Sequence, residues 1–155
     1  MKYIYGIDLS LLCTGISIFD LETQQPIFVG SVKTNSEETH GERLNDIREY
    51  MKGLIAKYPP HEVAIEQGFT MHNKSTQIIY RVHGVCNELF HEYEQFYYAP
   101  TTVKKLVSNN GRSNKEILQA SILKRYPDIK FANTDESDSF GVGITHLVKV
   151  HKMKW

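Results

Sequence analysis

The sequence predicts an α/β domain, a mixed five-stranded sheet flanked by helices on both faces. Two observations predict it. The chain opens with three β-prone runs joined by short turns. The periodicity then changes to that of helices, which alternate with single apolar runs of strand length. The 155 residues suffice for one core and are taken as a single domain, 1–155.

Tyr3-Ile4-Tyr5-Gly6-Ile7-Asp8 is a short β-prone run that ends in a carboxylate. Residues 14–19 alternate apolar and polar side chains, as a half-buried strand does. Turn-forming residues fill 20–26, and residues 27–32 read as a third strand, completing an antiparallel meander. Thr39 and Glu42 have the spacing of a capping box, and Leu44, Ile47, Met51, Leu54 and Ile55 follow at helical spacing until Pro59-Pro60. Residues 62–66 are a compact buried strand, again closed by a carboxylate. A helix over 73–90 is apolar on more than one face, which suits a partner on its outer side. Residues 96–98 form a last short strand, and Val103, Leu106 and Val107 indicate a brief helix. A second capping box at Ser113-Asn114-Lys115-Glu116 opens a helix to about Tyr126. The final helix runs from Glu136 to about Val150, with Phe140, Ile144, Leu147 and Val148 as its core stripe. Gly141 and Gly143 are poor helix formers and imply close packing against the sheet.

No apolar run approaches the ~18 residues that span a bilayer, so no membrane partner is expected. The N-terminus lacks the small-residue cleavage site of a secretory signal, and the expected location is the cytoplasm. Cys13 and Cys86 match no zinc or redox spacing and read as buried, reduced side chains. Eighteen basic and eighteen acidic residues leave no net charge, which counts mildly against nucleic-acid binding. Their distribution offsets this. Lys104, Lys105, Arg112, Lys115, Lys124 and Arg125 fall close together, so the second half is able to present a phosphate-contacting face.

Asp8 and Glu66 each end a very apolar strand, where an unpaired carboxylate is costly. Asp135 and Asp138 share one face at a helix start; Glu136 points elsewhere and reads as decoration of the positive helix end. Brought together, the four acids repel, and hard divalent cations with oxygen ligands remove that repulsion. Two such ions about 4 Å apart form a clamp for displacement at phosphorus.

At these residues the sequence resembles the RuvC-type Holliday-junction resolvases, especially their shorter phage forms. Ile4-Tyr5-Gly6-Ile7-Asp8 with Thr14-Gly15 is similar to the family's first catalytic strand and its return. Ala64-Ile65-Glu66-Gln67 with Phe69 is similar to the second. Val82-His83-Gly84-Val85 falls on the long helix, and Asp135-Glu136-Ser137-Asp138 with Gly143-Ile144-Thr145-His146 on the last catalytic helix. The resemblance implies a ribonuclease H-like fold, a homodimer and Mg²⁺- or Mn²⁺-dependent cutting of opposed strands of branched DNA, with two ions per site. Asp8, Glu66, Asp135 and Asp138 are then the catalytic metal ligands. Phe69 stacks on or wedges bases, and Lys104 or Lys105, together with Lys115, touches DNA. Arg112 belongs to the same basic group. Leu9-Ser10 departs from the Pro-Gly of cellular members. Ser10 is either a turn serine or a hydroxyl that binds a phosphate or a metal-bound water. Cellular members work beside a branch-migration motor, and no segment here is identified with its docking surface.

His146 reads as a helix-surface histidine, and the basic run 149–154 as a solvated tail with DNA contact as the alternative. Three other functions compete. An RNA–DNA hybrid hydrolase shares the fold and differs in reading the 2′-hydroxyl. A non-catalytic branched-DNA binder gains nothing from four acids that repel phosphate. An actin-like phosphotransferase needs more chain than is present.

Overall fold

The computed structural model describes residues 1–68 and 73–155. Strands β1 (Tyr3–Asp8), β2 (Cys13–Asp20) and β3 (Pro26–Lys33) form the expected meander. Helix α1 (His40–Lys57), strand β4 (Pro60–Glu66), helix α2 (Asn73–Leu89) and strand β5 (Glu94–Tyr98) follow. Helices α3 (Pro100–Ser108), α4 (Lys115–Arg125) and α5 (Thr134–His151) complete the chain. The sheet order is β3-β2-β1-β4-β5, with β1 antiparallel to β2 and parallel to β4. That is the mixed five-stranded sheet read from the sequence.

Successive strand residues face opposite sides, which divides the sheet between two cores. Tyr5, Ile7, Ile16, Ile18, Val63 and Ile65 face α1 and α2. Ile4, Phe19 and Ala64 face α3, α4 and α5. Asp8 and Glu66 continue the second alternation, so both point to the α5 side.

Thr39 caps α1 as expected, its hydroxyl accepting the Glu42 N–H at 3.2 Å. The second capping box is displaced by one residue. Asn114 is the cap of α4, its Oδ1 accepting the Ile117 N–H, while the Ser113 hydroxyl is engaged with that of Ser108. Helix α3 starts on Pro100, whose fixed φ and missing N–H suit a first helical position. Asn133 caps α5, which starts at Thr134, two residues before the expected Glu136.

Helix α5 is more buried than a single stripe, with every residue from Glu136 to Leu147 out of solvent. It lies directly on the backbone of β1 and β2. A Cβ at Gly6 would strike the Ser139 carbonyl and the Gly143 backbone, one at Gly15 the Asp135 carbonyl, and one at Gly143 the Phe19 ring. The Ser17 and Ser139 hydroxyls also meet at 2.7 Å. Gly143 packs on the sheet as read; Gly141 instead makes room for Val103 and Leu118 of the neighbouring helices. The C-terminal basic run is not a loose tail. Trp155 donates to the Val107 carbonyl, stacks on Tyr126, and lies 4.2 Å beneath the Arg125 guanidinium. Both cysteines are buried and free, as expected.

Candidate active site

Parallel pairing of Ile7 with Ile65 brings Asp8 and Glu66, the next residue of each strand, side by side at one sheet edge. Neighbouring strands lie about 4.8 Å apart. Asp8 also pairs with Gly15, over which the Asp135 carbonyl is seated. The two missing side chains, at Gly6 and Gly15, therefore let the start of α5 come down beside the end of β1. Asp138 follows one helical turn later, 7% exposed. Asp8, Glu66 and Asp138 line one pocket of about 90 Å³, together with Lys104 and Lys115 and an apolar floor of Pro100, Val103 and Leu118. Lys115 Nζ stands 3.2 Å from Asp138 Oδ2 and 3.9 Å from Asp135 Oδ1.

Charge in this pocket is unbalanced. Burial, then the Glu66 and Asp138 carboxylates, hold Asp8 well above the usual carboxylate range. Burial and Asp138 push Glu66 up to about 7. Burial also raises Asp138, although Lys115 pulls the other way. Burial works to lower Lys115, but Asp138, with Asp8 and Asp135, raises it overall. The acids outnumber the nearby ammonium groups, and proton uptake is how a dry site relieves such crowding.

The sequence profile of the crossover junction endodeoxyribonuclease RuvC family matches residues 4–146. The chain belongs to the RuvC family. A RuvC of Nitrobacter hamburgensis is 32% identical over 150 residues, spanning 92% of this chain and 87% of the relative. That of Rickettsia massiliae is 30% identical over 151 residues, spanning 94% and 96%. Among solved structures, T. thermophilus RuvC in complex with Holliday junction substrate superposes with a TM-score of 0.84 at 17% identity, covering 98% of this chain and 96% of that one. The yeast mitochondrial Holliday junction resolvase Ydc2 gives 0.64 at 13% identity, covering 93% and 78%. These two likenesses show the fold, the mixed five-stranded sheet flanked by helices that those resolvases share.

Within this RuvC-family fold the other expected site residues separate. Lys104 faces the acids; Lys105 is exposed and lines a different surface groove with Asn109 and Lys149. Arg112 is exposed in the loop between α3 and α4 and does not line the pocket. Ser10 shows the turn role: its hydroxyl accepts the Cys13 N–H, and its carbonyl accepts the Thr14 hydroxyl at 2.8 Å. Phe69 lies outside the described residues. Glu136 is not helix decoration, because it is 5% exposed and accepts from the Ser31 hydroxyl and the Ala132 N–H. His146 is not on the surface either; it is fully buried against Glu62 and Tyr98.

One pocket residue carried no assignment from sequence. His83 of α2 is buried and lines a second cavity, of about 190 Å³, that also touches Asp8 and Glu66. Burial lowers its pKa, so the imidazole is neutral near pH 7. Its neighbour Gly84 has open space around it.

Proposed function

We propose that this protein resolves four-way DNA junctions, cutting phosphodiester bonds by paired nicks in a metal-dependent reaction. The observation that carries the proposal is the convergence of Asp8, Glu66 and Asp138 on one small pocket with Lys104 and Lys115. Relatives that bear the crossover junction endodeoxyribonuclease name span nearly the whole chain.

The donor set suits Mg²⁺. It offers only carboxylate oxygens from Asp8, Glu66 and Asp138, with Asp135 alongside, and Mn²⁺ accepts the same ligands. The raised carboxylates support this fit, since a cation relieves the repulsion that otherwise favours protonation. When bound, a pair of ions supplies an activated water and stabilises the leaving oxygen. The chain's own residues do the rest. Lys104 and Lys115 draw the scissile phosphate toward the acids and neutralise it. Lys115, 3.2 Å from Asp138, would release that carboxylate to contact the phosphate if a cation were held by the acids. Gly6 and Gly15 fix the depth of α5, and through it the separation of Asp135 and Asp138 from Asp8.

Paired nicks require two such sites, and the protein acts as a homodimer. The outer side of α2 offers a surface for it: Tyr80 is 54% exposed and Ile79 is only partly buried. No helix among the described residues is long and apolar enough to cross a membrane, in keeping with work on DNA in the cytoplasm.

The test is a comparison of labelled four-way, forked and linear DNA, with and without Mg²⁺, using the wild type and Asp138→Asn. Symmetric nicks in the four-way junction that need Mg²⁺ are expected. The variant should lose cutting by a hundredfold or more, about 3 kcal/mol of barrier, while binding the junction within about threefold of wild type. Equal cutting of linear DNA, or unchanged cutting by the variant, would refute the proposal.

A further inference from the structure

A second group of metal-ligating side chains lies away from the acids, at the opposite end of the same strand. Glu62 and Glu66 both face α5 from β4, four residues apart, so about 13 Å of strand separates them. Helix α5 runs back over this face, with Asp138 at one end and His146 and His151 at the other. His146 Nε2 is 2.6 Å from Glu62 Oε2, and His151 Nε2 is 2.7 Å from the same oxygen. One ligand atom from each of the three side chains lies within 4.8 Å of the others.

We propose that Glu62, His146 and His151 form a second metal site, which takes Zn²⁺ and fastens the end of α5 to β4. Two imidazoles and one carboxylate are a characteristic zinc donor set, with a fourth position for water or a further ligand. His61 lies nearby, its Nε2 3.8 Å from Glu62 Oε1 and its side chain 39% exposed. The chemistry differs from that of the first pocket. Imidazole selects a borderline transition metal, whereas the Asp8 pocket offers only oxygen and suits Mg²⁺.

Bonds of about 2.0–2.1 Å in a tetrahedron put ligand atoms about 3.3 Å apart. The two nitrogens therefore withdraw from the carboxylate by roughly 0.6–0.7 Å, and the three ligand atoms, which now lie within 4.8 Å of one another, draw in around the ion. The protons are also accounted for. Without metal, both Nε2–H groups donate to Glu62, and Tyr98 donates its hydroxyl to His146 Nδ1 at 2.8 Å. With metal, each imidazole carries its proton on Nδ1, and His146 Nδ1–H donates to Tyr98 in turn. The tautomers reverse and no net proton leaves. A hydrogen-bond acceptor on the far nitrogen is the usual support for a metal-bound histidine. The site is well enclosed, with His146 fully buried and Glu62 8% exposed. The Phe96 ring covers His146 at 4.6 Å, and the Gln24 amide holds the His151 carbonyl.

The test uses the full chain, stripped with a chelator and then titrated with Zn²⁺ alone in excess Mg²⁺, which keeps the carboxylate pocket filled. Calorimetry gives stoichiometry and affinity, and Co²⁺ in place of Zn²⁺ reports tetrahedral geometry by its visible absorption. One Zn²⁺ per chain is expected, with a rise in Tm. His151→Ala, at a partly exposed position that leaves the core intact, should weaken binding by well over tenfold and abolish that rise. Tyr98→Phe should weaken it by about tenfold. Asp138→Asn should bind Zn²⁺ as the wild type does. The proposal is overturned if binding is not saturable at one ion per chain, or if His151→Ala binds equally well. It is also overturned if Asp138→Asn is the variant that loses the ion. None of these outcomes depends on nuclease activity.

Discussion

The two ends of β4 place a glutamate on the same face against the same helix, yet they treat it in opposite ways. At the C-terminal end, Glu66 meets Asp8 and Asp138, and burial among like charges pushes it up to about 7. At the N-terminal end, Glu62 is also buried, but hydrogen bonds from His151 and His146 outweigh burial and lower its pKa. Burial is thus common to both, and the partner that α5 presents decides the sign. Glu62 has hydrogen-bond donors within the chain even without metal, whereas Glu66 is left among like charges. This difference marks the Glu66 end as the reactive one and the Glu62 end as the fastening.

Four outcomes break or sharpen the contrast. The largest concerns Glu62→Gln in chelator-treated protein. It replaces a charged acceptor of one buried and one partly buried hydrogen bond and should destabilise by about 3 kcal/mol, read by denaturant unfolding. A loss below 0.5 kcal/mol, on the order of a surface substitution, would show that the two histidines do not hold α5.

Glu66→Gln should act in the other direction. A folded-state pKa of about 7 against an ordinary 4.5 means that the native state holds the proton more tightly than the unfolded chain. The stability this confers is complete below pH 4.5 and is lost as pH rises through about 7. Without metal, the variant should therefore be more stable than the wild type at pH 8, by something on the order of 2 kcal/mol, with the gap closing toward pH 4.5. A gap that widens on acidification would mean the site is not crowded with negative charge. Asp8→Asn should likewise raise Tm in the absence of metal, because it removes one of the repelling carboxylates. Mg²⁺ should erase both gains.

A smaller effect separates adjacent lysines. Lys104→Ala should slow junction cutting by about tenfold, the worth of one charged contact to phosphate, while Lys105→Ala should change it by less than about twofold. Equal losses would place both side chains on DNA.

Most of the fold was legible in the sequence, because its signals are local. The strand positions, the helical stripes of α1 and α2, and the Thr39 cap depend only on near neighbours. Residues 14–19 are not half-buried as their alternation suggests, because α5 covers the polar side and β2 is buried throughout. The four acids were legible too, since each sits at the end of an apolar run or at a helix start. What escaped depends on contacts between distant segments. His146 looked like a surface residue because α5 was read as having one buried face, whereas the helix is covered by the sheet on one side and by α3 and α4 on the other. Glu136 escaped for the same reason; its partner Ser31 lies 105 residues away. His146 and His151 are five apart, a spacing that does not stack side chains on a helix, so their meeting at Glu62 left no periodic trace. Gly6 and Gly15 passed as ordinary strand glycines, and only the descent of α5 onto them explains why no side chain fits. The Ser113 and Asn114 signals compete for one helix start, and Ser113 is engaged by Ser108 instead.

The central claim is that acids from β1, β4 and α5 hold one cation pocket between them. Calorimetric titration of the chelator-treated chain with Mg²⁺, alongside Asp8→Asn, Glu66→Gln and Asp138→Asn, tests it most directly. Each substitution should lower Mg²⁺ affinity by about tenfold or more, since all three side chains serve the same ions. Mg²⁺ binding that survives in all three variants would contradict the account.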